Sequence, residues 1–89
     1  MSQKQEVRDE APTLNTLTGY DVEHRTLYLR LLDAQRDRVH WEDVARILLN
    51  IDPNREPQRA RRVLEQHLVR AHWMLKNGFG HLLKGGAQD

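Results

Sequence analysis

The stretch WEDVARILLNIDPNREPQRARR, residues 41–62, decides the fold. Trp41, Val44, Ala45 and Leu48 recur at the helical interval, and Glu42 and Asp43 stand in the first turn, where carboxylates suit the positive end of the helix dipole. Ile47 and Ile51 widen the apolar stripe and leave Glu42, Asp43 and Arg46 to face water, so the spacing predicts a mostly buried helix from about Trp41 to Leu49. A turn follows, in which Pro53 and Pro57 bracket Asn54, Arg55 and Glu56. Pro57 suits the first position of a new helix, where its missing N–H has no intrahelical partner to lose, and it drives Glu56 out of the α region. A short helix, a turn and a basic second helix make the grammar of a helix-turn-helix, here with a longer turn than usual.

Downstream of Pro57 the apolar stripe continues through Ala60, Val63, Leu64, His67, Leu68, Ala71, Met74 and Leu75, and Gly78 marks the end as a left-handed C′ residue. A short last helix, Phe79 to Lys84, is expected to fold Phe79, Leu82 and Leu83 back onto the bundle. Upstream, a first helix starts near Tyr20, with Thr18 as N-cap and Asp21 three positions on as a shortened capping box. Tyr20, His24, Leu27, Tyr28, Leu31 and Ala34 share its inner face, while Val22 and Leu29 fall on the opposite side beside Arg25, Thr26 and Asp33. Residues 1–17 and 85–89 lack periodicity and read as flexible tails, which leaves 18–84 as the domain. The expected fold is all-α: a small helical domain of three main helices and a short C-terminal one, helix-turn-helix-like with an extended turn.

Eighty-nine residues bound the chain to one small core, without room for a deep substrate pocket. The absence of cysteine excludes disulfides and thiolate metal sites, and the apolar runs are far shorter than a membrane span. The N-terminus is polar and mixed in charge, unlike a secretory signal, so a cytoplasmic location is the natural reading. Net charge is only +1, but residues 1–54 carry −3 and residues 55–76 carry +4, so an acidic front half precedes a basic third helix.

Chemistry-bearing patterns are scarce. His67 and His72 are five apart and therefore about 140° around a helix from one another, poor placement for joint metal ligation. There is no nucleophile elbow, no Gly-rich phosphate loop and no carboxylate pair set in an apolar run, so no enzymatic activity, cofactor, metal or small-molecule substrate is expected. The pattern points instead to recognition. The outer face of the third helix carries Arg59, Arg62, Gln66 and Arg70 together with Val69 and Trp73. Two readings stay open: nucleic-acid contact through Gln58, Arg59, Arg61, Arg62 and Arg70, and protein contact through the exposed apolar residues Val22, Leu29, Val69 and Trp73. On the second reading Leu29→Asp is expected to weaken partner binding without unfolding the domain.

LYLRLLDAQ (27–35), WEDVARILLNIDP (41–53), EPQRARR (56–62) and HLVRAHWMLKNGFGHLL (67–83) together resemble the domain-of-unknown-function family 2285, over about residues 18–84. The combination of Leu-Leu-Asp-Ala, an Ile-Asp-Pro turn, an arginine run and Arg-Ala-x-Trp-Met carries the likeness. The resemblance implies an extended-turn helix-turn-helix variant from regulators of conjugative mobile elements in proteobacteria. In that family the module is joined to an N-terminal domain in transcriptional activators that use a basic face on DNA, and stands alone in short QseM-type antiactivators that bind the activator's N-terminal domain. Only about seventeen residues precede the module here, so the chain is similar to the short type. The expectation is thus an antiactivator that blocks expression of excision and transfer genes under quorum control, with a small DNA-binding regulator as the alternative.

Overall fold

A computed structural model describes residues 6–83 and gives an all-α domain. Its elements are α1 (Gly19–Glu23), α2 (Arg25–Arg36), α3 (Trp41–Val44) running directly into a π-helical turn (Ala45–Leu49), and α4 (Pro57–Lys76). Residues 80–83 add a last helical turn. The expected first helix is thus two. Thr18 caps α1 as foreseen: its hydroxyl accepts from the Asp21 N–H, and the Asp21 carboxylate accepts from the Thr18 N–H, a complete capping box. The helix breaks at His24, and α2 carries on alone.

The end of α2 shows how a turn is fixed without glycine. The Val39 N–H reaches the Ala34 carbonyl at 2.9 Å and the Arg38 N–H reaches that of Gln35 at 3.2 Å, while Arg38 takes the left-handed conformation at φ 59°. That pairing satisfies carbonyls the helix would otherwise leave open. After the π-helical turn Asn50 is left-handed too, at φ 59°, and the N–H groups of Asn50 and Ile51 converge on the Ala45 carbonyl. Asp52 then organises the connection to α4. Its carboxylate accepts from the Asn54 N–H at 2.9 Å, and its carbonyl accepts from the N–H groups of Arg55 and Glu56. Pro57 occupies the start of α4, and Gly78 is left-handed (φ 85°) just past its end, both as the sequence indicates.

Two apolar clusters hold the bundle. One joins α2, α3, the π-helical turn and the first half of α4 through Leu31, Val44, Ala45, Leu49, Ile51, Ala60, Val63 and Leu64. The other joins α2 to the second half of α4 through Tyr28, Ala71 and Met74, closed by Leu83 from the last turn. Three side chains depart from the helical-wheel expectation. Ile47, expected in the core stripe, is 76% exposed, because the wider π-helical winding turns it outward and brings Leu49 in. Leu75 is exposed near the end of α4, where the chain turns away at Gly78. Leu29, expected on the outer surface, is half-buried against the Tyr28 cluster. The Ile47 and Leu49 positions provide a direct check by urea unfolding. Ile47→Ala is expected to change stability by no more than about 0.5 kcal/mol, and Leu49→Ala to cost about 2–5 kcal/mol.

The largest departure is at the N-terminus. Residues 6–17, expected to be part of a flexible tail, lie as an extended strap against the helices, with Ala11 buried and Val7 packed on the first cluster. Residues 1–5 and 84–89 fall outside the described region, and with them the rest of both expected tails.

A strap-covered candidate interaction site on the outer face of α4

The core stripe of α4 leaves Arg59, Arg62, Gln66, Val69, Arg70 and Trp73 on or beside its far side, and the strap runs along that side in the same direction as the helix. Asp9 meets Arg59, the Ala11 N–H donates to Gln66 Oε1 at 3.2 Å, and the carbonyls of Leu14 and Thr16 meet Arg70. A segment without secondary structure must place its backbone polar groups somewhere, and here polar side chains of α4 receive part of them.

Arg70 is the anchor. It is 3% exposed, and its guanidinium forks onto Asp21, Nε to Oδ1 at 3.0 Å and Nη2 to Oδ2 at 2.7 Å. Nη1 donates to the Leu14 carbonyl at 2.6 Å and Nη2 to that of Thr16 at 2.9 Å. The flat guanidinium also lies over Trp73, Cζ 3.8 Å from the ring centre, and Phe79 stacks on Trp73 at 5.6 Å between centroids. Asp21 is fully buried and accepts in addition from the Tyr28 hydroxyl at 2.9 Å and from Thr18. Burial alone would raise its pKa. The hydrogen bonds from Arg70, the Thr18 N–H and the Tyr28 and Thr18 hydroxyls outweigh it, and the carboxyl is held below its ordinary value. Burial and the neighbouring carboxylate push the Tyr28 hydroxyl strongly up, so it stays a donor.

Beside this pair runs a second polar chain. The Arg8 N–H donates to the Tyr20 hydroxyl at 3.0 Å, and that hydroxyl lies 2.7 Å from His67 Nε2. His67 Nδ1 lies 2.8 Å from the Val63 carbonyl, which can only accept, so Nδ1 carries the proton and Nε2 receives the Tyr20 O–H. The imidazole is neutral in this arrangement, in line with burial holding its pKa below the usual value. His24 stacks on Tyr20 at 3.9 Å and ties the strap at its far end, with Nε2 2.8 Å from the Glu6 carbonyl.

Arg59 is satisfied twice. Its Nε and Nη2 edge grips the Asp9 carboxylate at 3.0–3.1 Å, and Nη1 donates to both oxygens of Glu56 at 3.1 Å. Arg59, with help from Arg62, holds the Asp9 pKa below its ordinary value. The nucleic-acid residues expected from sequence therefore divide. Arg70 is buried and neutralised, and its assignment to an exposed basic patch is corrected. Arg59 is occupied, Arg61 sits over the Trp41 ring with Cζ at 4.6 Å, and Gln58 and Arg62 are exposed. Asp21, one of the carboxylates of the acidic front half, is inside the domain and adds no charge to the surface.

Between strap and helix opens a cleft of about 370 Å3, with Ala11, Pro12 and Thr13 on one side and Glu65, Gln66, Val69, Arg70 and Trp73 on the other. Val69 is 65% exposed at its mouth and Trp73 is half-buried. Two of the expected partner residues, Val69 and Trp73, thus meet in one place, whereas Val22 lies exposed on α1 and Leu29 packs inward. The strap's contribution escaped the sequence reading. Its hints were isolated apolar residues in a polar segment, Val7, Ala11 and Leu17, each of which packs inward. Among the described residues no group of three or more His, Asp or Glu gathers to hold a metal ion, and no helix is long and apolar enough to cross a membrane. No family model matches this chain, and no curated protein is significantly similar to it.

Proposed function

We propose that this protein is a non-enzymatic antiactivator that binds the N-terminal domain of a transcriptional activator and so blocks expression of the excision and conjugative-transfer genes of a mobile element. The observation that carries a protein-binding role is the apolar cleft between the strap and α4, with Val69 open at its mouth and Trp73 clamped beside it. Apolar surface with an aromatic anchor and a polar rim is what a protein partner buries. The kind of partner rests on the sequence resemblance to family 2285. Charge supports the choice over DNA. A duplex-reading helix keeps its cations available to phosphates, and here Arg70 is spent on Asp21 and Arg59 on Asp9 and Glu56.

A second reading, a small DNA-binding regulator with α4 in the major groove, draws on the exposure of Gln58, Arg61 and Arg62 near the start of that helix. Salt separates the two. Each phosphate neutralised steepens the log–log dependence of duplex affinity on salt by about 0.9, whereas a partner held by an apolar centre responds weakly. The test is a calorimetric titration against the N-terminal domain of an activator from the same mobile element, beside a gel shift on that element's promoter DNA. Tight protein binding without a shift is the expected result. A sequence-specific shift without protein binding would overturn it.

A further inference from the structure

The carboxylate of Asp9 sits on Arg59 as a phosphate would. It takes the Nε and Nη2 edge, the fork with which arginine grips planar or tetrahedral oxyanions, at 3.0–3.1 Å. Arg62 stands one helical turn along the same helix, exposed and near enough to lower the Asp9 pKa further. Arg55, in the turn just before α4, is exposed as well. Among the described residues neither Arg55 nor Arg62 has an ion-pair partner, and Asp9 of the acidic strap lies within electrostatic reach of Arg62. An exposed pair of this kind adds little to stability. Its effect is competitive: a tethered carboxylate is present at a high effective concentration and occupies the fork before a dilute anion can.

We infer that the edge of α4 bearing Arg59 and Arg62 is a latent binding surface for the phosphodiester backbone of duplex DNA, and that Asp9 masks it. This deepens the protein-binding reading above and rests on it, since the mask is what keeps the intact chain off nucleic acid. The rest of the strap need not move for the mask to open. Its other bonds, Ala11 to Gln66 and the Leu14 and Thr16 carbonyls to Arg70, do not involve the Asp9 carboxylate.

Fluorescence anisotropy with a short random-sequence DNA duplex tests this on the full chain, comparing wild type with Asp9→Asn and Glu10→Gln. The two substitutions change net charge equally and are adjacent, but Glu10 makes no ion pair among the described residues. Asp9→Asn is expected to bind about tenfold more tightly at about 50 mM salt, with a log–log salt slope steeper by about 0.9 to 1.8. Glu10→Gln is expected to stay within about twofold of wild type. Adding Arg59→Gln to Asp9→Asn should abolish the gain, with far-ultraviolet circular dichroism confirming a folded domain throughout. An unchanged affinity in Asp9→Asn, an equal gain in Glu10→Gln, or a gain that survives Arg59→Gln would each overturn the mask. None of those results touches the activator titration, whose failure with wild-type protein would overturn the antiactivator reading whatever the DNA data show.

Discussion

Arg70→Met lowers the stability of the domain by about 3–5 kcal/mol at neutral pH, read as the shift in urea unfolding. The substitution keeps an unbranched apolar stem of similar reach, so the cost comes from what the guanidinium leaves behind. Asp21 is fully buried beside it, and the carbonyls of Leu14 and Thr16 lose their donors as well. An uncompensated buried carboxylate is among the costlier defects a small core can carry. The pH dependence identifies the cause. In the wild type the folded-state pKa of Asp21 is depressed, so its contribution is present above the ordinary carboxylate range and is lost as pH falls through the lower folded value. In Arg70→Met burial acts without its main opponent and pushes the Asp21 pKa up. The deficit relative to wild type therefore begins to narrow above the ordinary carboxylate value of about 4 and narrows further below it, where the wild type loses its own Asp21 contribution. A deficit independent of pH would place the loss in packing. Adding Asp21→Asn should recover at least about 1 kcal/mol of the loss, the signature of a direct coupling.

His67 shapes the wild-type curve on the acid side earlier. Its folded pKa is depressed by burial, so the unfolded chain gains a proton below about 6.5 that the folded domain refuses. Stability is full above that value and declines as pH falls toward the folded one, ahead of the Asp21 loss.

Val69→Asp is the second large effect, and it falls on binding. Val69 stands at the mouth of the strap–α4 cleft and is mostly exposed, so the fold loses little when it changes. A carboxylate there must be desolvated by any partner that fills the cleft. The expected loss of affinity for the activator's N-terminal domain is about thirtyfold or more, near 2 kcal/mol. Calorimetry on the variant and on Val22→Asp decides the matter, because Val22 lies on α1 away from the cleft. Equal losses in both would dissolve the assignment of this face. Trp73→Ala is the poorer probe, since Trp73 also covers the Arg70 guanidinium. Leu29→Asp is poorer still: Leu29 packs against the Tyr28 cluster, and its change would destabilise the domain before it reported on a partner.

The helices were legible because their signals are local. Thr18 with Asp21, Pro57 at a helix start and Gly78 beyond its end are short-range chemistry, and the structure uses all three. The α4 stripe was legible as periodicity down to Met74. Ile47 was misplaced because a wheel assumes one winding throughout, and the π-helical turn changes it for five residues. Arg70 was misplaced for a different reason. Residue type argues for solvent, and only a partner 49 positions away makes its burial tolerable. The strap shows the same limit, since its bonds to α4 span 50 to 56 positions and leave no periodic trace in residues 6–17.

The strap also sets an order of assembly. Residues 6–17 leave the ribosome before the helix that receives them, since Arg59, Gln66 and Arg70 are made about fifty residues later. Loops of that length close slowly compared with local helix formation. Until residue 70 has been synthesised, Asp21 has no counterion and the strap has no seat. Nascent chains halted before that point should therefore form helices without closing the domain, and a segment translated ahead of every helix it touches is the last to find its place.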